Sequence, residues 1–96
     1  MAEKGRIFYG KNFLRDAQRL PKEAQQKLAS LLEILADDPF DPRLHGKALG
    51  PPLRGKFSFR ITRDWRVGFE FLDAHTIHLL AAERRDRIYK RLERLR

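Results

Sequence analysis

Apolar side chains recur along this chain with two different periods, and the change falls near its middle. From Asn12, whose side chain suits an N-cap, Phe13, Ala17 and Leu20 return at helical spacing until Pro21 interrupts them. Pro21 fits the first position of a second helix, where its missing N–H has no partner in any case. Ala24, Leu28, Leu31, Leu32 and Leu35 then form one stripe that stops at Asp37, Asp38 and Pro39, so the pattern predicts an αα-hairpin. Ahead of it, the β-favouring run at 6–9 ends at Gly10 and predicts a first strand. Behind it, 40–55 holds three prolines and three glycines and predicts an ordered loop anchored by Leu44, Leu49 and Leu53.

After this loop the period becomes two. Phe57, Phe59 and Ile61 point one way and Lys56, Ser58 and Arg60 the other. Trp65, Val67, Phe69 and Phe71 alternate with Arg66, Gly68 and Glu70, and Ile77, Leu79 and Ala81 with His78, Leu80 and Ala82. The connections at 62–64 and 73–75 are short enough for hairpins, so the three strands form an antiparallel meander. Ile88, Leu92 and Leu95 predict a C-terminal helix with Asp86 near its start. The order is β-α-α-β-β-β-α in a single domain over 1–96. Its fold class is α+β, a two-layer domain with the αα-hairpin packed on a small, mainly antiparallel sheet.

Register then decides which charges meet. Pairing Ile61 with Trp65 makes 59/67 and 57/69 the other core-facing pairs, all apolar. The opposite face pairs Arg60 with Arg66, Ser58 with Gly68 and Lys56 with Glu70. In the next hairpin, pairing Leu72 with Thr76 sets Glu70 beside His78, Gly68 beside Leu80 and Arg66 beside Ala82. Arg66 then lies where the last strand runs into Glu83, Arg84 and Arg85, with Tyr89 one turn into the helix. Like charges opposite each other on a sheet repel, so Arg60 beside Arg66 is a local cost that a bound anion relieves. Gly68 leaves a shallow floor beside them for a ligand.

Composition narrows the classes. With 96 residues the chain has room for one core. The absence of cysteine excludes a disulfide framework and a thiolate nucleophile. No run approaches the ~20 apolar residues of a membrane span, and the N-terminus has no secretion signal, so the expected compartment is the cytoplasm. The net charge is +8, with 9 basic and 7 acidic residues over 1–48 but 12 and 6 over 49–96. Such a field attracts nucleic acid, an anionic membrane surface or an acidic protein. The histidines and carboxylates show no metal-ligand spacing, and hydrolase, Walker and Rossmann signatures are missing.

Several residues have plain structural readings. Lys56, Glu70 and His78 serve as cross-strand partners, Trp65 as core, His45 as surface, and the tail cations Arg84, Arg85, Arg87, Lys90, Arg91, Arg94 and Arg96 as a solvated helix face. What survives is an arginine-rich sheet face with one tyrosine, which suits phosphate and single-stranded RNA.

The chain resembles the RelE/ParE superfamily of type II toxin–antitoxin toxins. The resemblance covers nearly the whole chain and is strongest from 44 to 92. It is carried by Leu-His-Gly-Lys at 44–47, Leu-Arg-Gly at 53–55, Phe-Arg-Ile at 59–61, Asp-Trp-Arg-Val at 64–67, Phe-Glu-Phe-Leu-Asp at 69–73 and Glu-Arg-Arg-Asp-Arg-Ile-Tyr-Lys-Arg at 83–91. For the RelE-like branch it implies a ribosome-dependent mRNA endonuclease, an mRNA interferase that inhibits translation without metal or other cofactor. A 2′-hydroxyl attacks the neighbouring phosphate, basic residues stabilise the charge, and an acid protonates the leaving 5′-oxygen. Arg66 matches the strand arginine that holds the phosphate, and Arg60 a strand position that is often lysine. Arg85, or Arg84 if the alignment slips by one, matches the basic residue before the last helix, and Tyr89 the tyrosine that stacks on or orients substrate. Lys47, Arg54, Arg84 and Arg87 are the expected RNA-binding cations around them.

Two positions depart from the family pattern. Ser58 stands where another lysine is found, and Glu83 where a histidine commonly opens the final motif. Arginine stays protonated and is a poor base, which leaves Lys56 or Glu83 for that role, or a decayed, non-catalytic homologue. The ParE-like branch, which inhibits DNA gyrase, shares the arginine and the C-terminal motif and is the alternative. Either branch implies a cognate antitoxin whose acidic amphipathic segment covers the basic face, with operator DNA bound only through that complex.

Overall fold

A computed structural model describes residues 5–95, so the N-terminal reading over 1–4 and the tail cation Arg96 lie outside the described residues. Strand β1 (Arg6–Tyr9) leads into helices α1 (Lys11–Arg19) and α2 (Lys22–Asp37). A short 3-10 turn (Pro42–Leu44) and strand β2 (Lys47–Ala48) follow. Strands β3 (Lys56–Arg60), β4 (Trp65–Asp73) and β5 (Thr76–Arg84) and helix α3 (Ile88–Arg94) complete the chain. The sheet runs β1-β5-β4-β3-β2, with β1 parallel to β5 and the other neighbours antiparallel. It is the expected α+β arrangement, in which the αα-hairpin carries the chain from one edge strand to the far side of the sheet.

The helical hairpin covers one face. Phe13, Leu20, Ala24, Leu28, Leu31 and Leu35 meet Phe59, Ile61, Val67, Phe69, Ile77 and Leu79 in the main core. The short α3 lies on the opposite face, where Ile88 and Leu92 join Leu49, Leu53 and Ala81 in a second cluster. The three leucines of the 40–55 segment are buried as anchors, but the segment also forms the 3-10 turn and pairs β2 with β3 through Lys47↔Ser58 and Ala48↔Phe57.

Local starts differ slightly from the pattern. Helix α1 begins at Lys11 with Gly10 as N-cap, so Asn12 is already helical and caps nothing. Pro21 is the N-cap of α2 rather than its first helical residue. Trp65, expected in the core, is half-buried at the sheet's end, with the Arg84 guanidinium 5.0 Å from its ring centre.

The β3–β4 register matches the expectation in full, from Lys56↔Glu70 to Arg60↔Arg66. The β4–β5 register matches only from Phe71↔Ile77 to Phe69↔Leu79; at the turn Thr76 pairs with Asp73 rather than Leu72, and beyond Phe69 a bulge shifts the register by one residue. Gly68 therefore pairs with Ala81 rather than Leu80, and Arg66 with Glu83 rather than Ala82. The bulge also reverses the alternation. Leu80 and Ala81 both pack toward α3, and Ala82 turns into the main core.

Candidate functional site

The sheet face beneath α3 carries two charged groups at opposite ends. At one end Lys56 Nζ lies 2.9 Å from Glu70 Oε1, and His78 Nδ1 lies 3.0 Å from Glu70 Oε2. Burial raises the Glu70 carboxyl, but the hydrogen bonds from Lys56 and His78 outweigh it and hold Glu70 below its ordinary value. Phe8 sets its ring edge-on to His78 at 5.7 Å. These groups satisfy one another, as cross-strand partners do.

In the middle of the face Ser58 and Gly68 are buried. A Cβ at Gly68 would sit 2.5 Å from Leu92 Cδ2 and 2.7 Å from Cδ1. The bare backbone at Gly68 thus admits α3, and the floor expected for a ligand is already occupied by a leucine.

The arginines gather at the other end. Arg60 and Arg66 are direct strand partners. The Arg66 guanidinium donates to the Thr62 carbonyl at 2.9 Å, which ties it to the β3–β4 turn. The Arg85 N–H donates to the Asp64 carbonyl at 2.9 Å, so the segment before α3 is fastened to the same turn. Desolvation and the charge of Arg60, with a further push from Arg85, lower Arg66 below the ordinary arginine value; Tyr89 and Asp64 oppose the shift. The four groups Arg60, Arg66, Arg85 and Tyr89 are therefore within electrostatic reach of one point. Asp64 in the same turn offsets part of this charge, and an anion placed among the three cations offsets the rest.

Tyr89 is half-exposed, and Lys47 Nζ lies 5.9 Å from its ring centre. A cleft of about 290 Å³ opens beside this pair, between α3 and the 49–53 loop. Arg54, Arg84 and Arg87 are exposed on the surrounding surface. Lys56, in contrast, is four strand residues from Arg60, about 13 Å away along β3, and its ammonium is held by Glu70. The structure does not bring it to the arginine pair.

Glu83 does reach this end, because the bulge sets it opposite Arg66. Its Oε2 lies 3.2 Å from Arg91 NH1, and its Oε1 accepts from the Arg84 N–H at 3.0 Å. Arg91 in turn holds Asp16 Oδ1 at 3.0 Å, and Asp16 Oδ2 accepts from the Ala82 N–H at 3.0 Å. Strand β1 pairs with β5 only as far as Leu79, so the Asp16 carboxylate takes over the open edge beyond it. The sequence reading passed over Asp16 and left Arg91 in a solvated face. One signal was available: Asp16 lies three residues after Phe13 and four before Leu20, on the flank of the apolar stripe.

Among the described residues no cluster of three histidines or carboxylates is placed to hold a metal, and no helix is long and apolar enough to cross a membrane. No protein-family model and no curated protein sequence matches the chain. Solved structures do. The RelBE2 toxin–antitoxin complex of Mycobacterium tuberculosis contains a chain with a TM-score of 0.71 and 25% identity, matching 85% of this chain and 99% of that one. The archaeal RelE–RelB complex of Pyrococcus horikoshii gives 0.71 and 21%, over 88% and 98% of the two chains. YafQ from Escherichia coli gives 0.72 and 17%, over 90% and 99%. The same α+β layout is thus matched over nearly the full length of each of these proteins, and the chain has the fold of these RelE-like toxin structures.

Proposed function

We propose that this chain is the toxin of a toxin–antitoxin pair and that it acts as an endoribonuclease on mRNA held by the ribosome. The observation that carries this reading is the convergence of Arg60, Arg66 and Arg85 with Tyr89 at one end of an otherwise covered sheet face. Three clustered cations fit the doubly charged phosphorane that forms when a 2′-hydroxyl attacks its own phosphate, and a half-exposed phenol ring offers a surface for a base. Glu83 pairs with Arg66 across the strands, so once it exchanges its Arg91 contact for the substrate it takes the 2′-hydroxyl proton as the new O–P bond forms. The bond from phosphorus to the 5′-oxygen breaks, and that oxygen takes a proton from the Tyr89 phenol. The products are a 2′,3′-cyclic phosphate and a 5′-hydroxyl. Lys47, Arg54, Arg84 and Arg87 extend the basic surface along which the strand lies. Lys56 belongs to the Glu70 and His78 group and supports the sheet. Under this reading the antitoxin is an acidic, amphipathic segment that covers the basic face, and any operator binding belongs to the complex.

The test is a purified translating system with a defined mRNA and an excess of chelator. Cleavage with cyclic-phosphate ends, lost in Arg66→Ala and in Glu83→Gln, supports the assignment. Intact mRNA together with arrested supercoiling by gyrase replaces it with the ParE-like reading.

A further inference from the structure

Helix α1 carries Lys11, Arg15 and Arg19 at intervals of four residues, so their side chains form one stripe that rises about 6 Å and turns about 40° at each step. Like charges at this spacing repel, and Lys11 also sits at the helix N-terminus, where a cation opposes the macrodipole and no acidic residue follows in the first turn. Among the described residues no carboxylate is within ion-pair distance of any of the three. Folding gains nothing from this arrangement.

The turn of the stripe carries it toward the β5 edge. There Arg15 and Arg19 line a cleft of about 260 Å³ with Trp65 and Arg91. The two carboxylates in that cleft, Asp16 and Glu83, are both taken by Arg91. The Arg84 guanidinium lies over the Trp65 ring, 5.0 Å from its centre, a cation–π contact that holds it at the sheet's end. Glu83 is opposite Arg66, so the cleft adjoins the arginine site round the edge of the sheet. We infer that α1 is a second RNA-backbone track, in which Lys11, Arg15, Arg19 and Arg84 hold phosphates of the strand outside the reacting nucleotides. A peptide partner needs an apolar anchor pocket, whereas this cleft offers only the part of Trp65 not taken by Arg84 and a buried Ala82. A phosphate strand needs only spaced cations.

The inference rests on RNA being the ligand of the first site, and the experiment separates the two. Binding of a labelled 2′-O-methyl oligoribonucleotide, which cannot be cleaved, is measured against salt for the parent, Arg66→Ala and the triple variant K11Q/R15Q/R19Q. The logarithmic salt slope of the triple variant should be shallower by about 2, three phosphates at roughly 0.7 each, whereas Arg66→Ala changes it by about 1 at most. The triple variant should also melt no lower than the parent, since repulsion has been removed. A parental slope in the triple variant overturns the track while leaving the first site intact. Loss of polyglutamate binding with RNA binding unchanged overturns it too, and assigns α1 to an acidic protein. No RNA binding by the parent overturns both readings together.

Discussion

Replacing Asp16 by Ala removes the acceptor of the Ala82 N–H and the partner of Arg91 in one step. Asp16 is only 7% exposed, so no water takes over either role without rearrangement. An unsatisfied buried N–H costs about 1–3 kcal/mol. The ion pair adds about 1 kcal/mol after discounting for Arg91, which is a quarter exposed and keeps Glu83 as a second partner. The sum is about 3 kcal/mol, which in a domain of this size lowers Tm by roughly 12–24 °C. Asp16→Asn keeps an acceptor for the N–H and loses the charge, so its cost is about 1 kcal/mol. Urea unfolding and thermal melts of the two variants, with Arg91→Gln to complete a double-mutant cycle, give the numbers directly. Equal losses for Ala and Asn, or a loss below 0.5 kcal/mol for Ala, would refute the claim that this carboxylate caps the β5 edge.

Three further outcomes follow from the same packing and charges. Gly68→Ala should destabilise the protein by about 1–3 kcal/mol through the clash with Leu92, and in a denaturant titration the double variant with Leu92→Ala should lose less than the sum of the two single losses. Because Glu70 is held below its ordinary value of 4.5, its contribution is complete above that pH and is lost as pH falls through the lowered value; Glu70→Gln should flatten the stability–pH curve in that acid window. Arg60→Gln removes a like charge opposite Arg66 and should raise stability by about 0.2–1 kcal/mol, while weakening RNA binding; a lower Tm would show that the pair is not repulsive.

The two hairpins show how far alternation reads a fold. Between β3 and β4 every inward position is large and apolar and every outward one is polar or glycine, so only one register buries the right set, and that register is observed. Between β4 and β5 the segment 79–82 is apolar at all four positions, and parity carries no information there. The bulge that sends Leu80 and Ala81 to the same face lies beside the close approach of Leu92 to Gly68, a pairing of residues distant in sequence. The arginine pair was legible because it depends on the first register. The Glu83–Arg91–Asp16 chain was not, because it depends on the second and on contacts 66 and 75 residues apart. Strand β2, two residues long between glycines, has no period to read.

The most direct measurement is primer extension on total mRNA after brief induction of this chain in growing cells, beside the Arg66→Ala variant. The account predicts new 5′ ends at in-frame codon positions that vanish in the variant while both proteins accumulate equally. Growth arrest with uncut transcripts, or cutting that persists without Arg66, would contradict it.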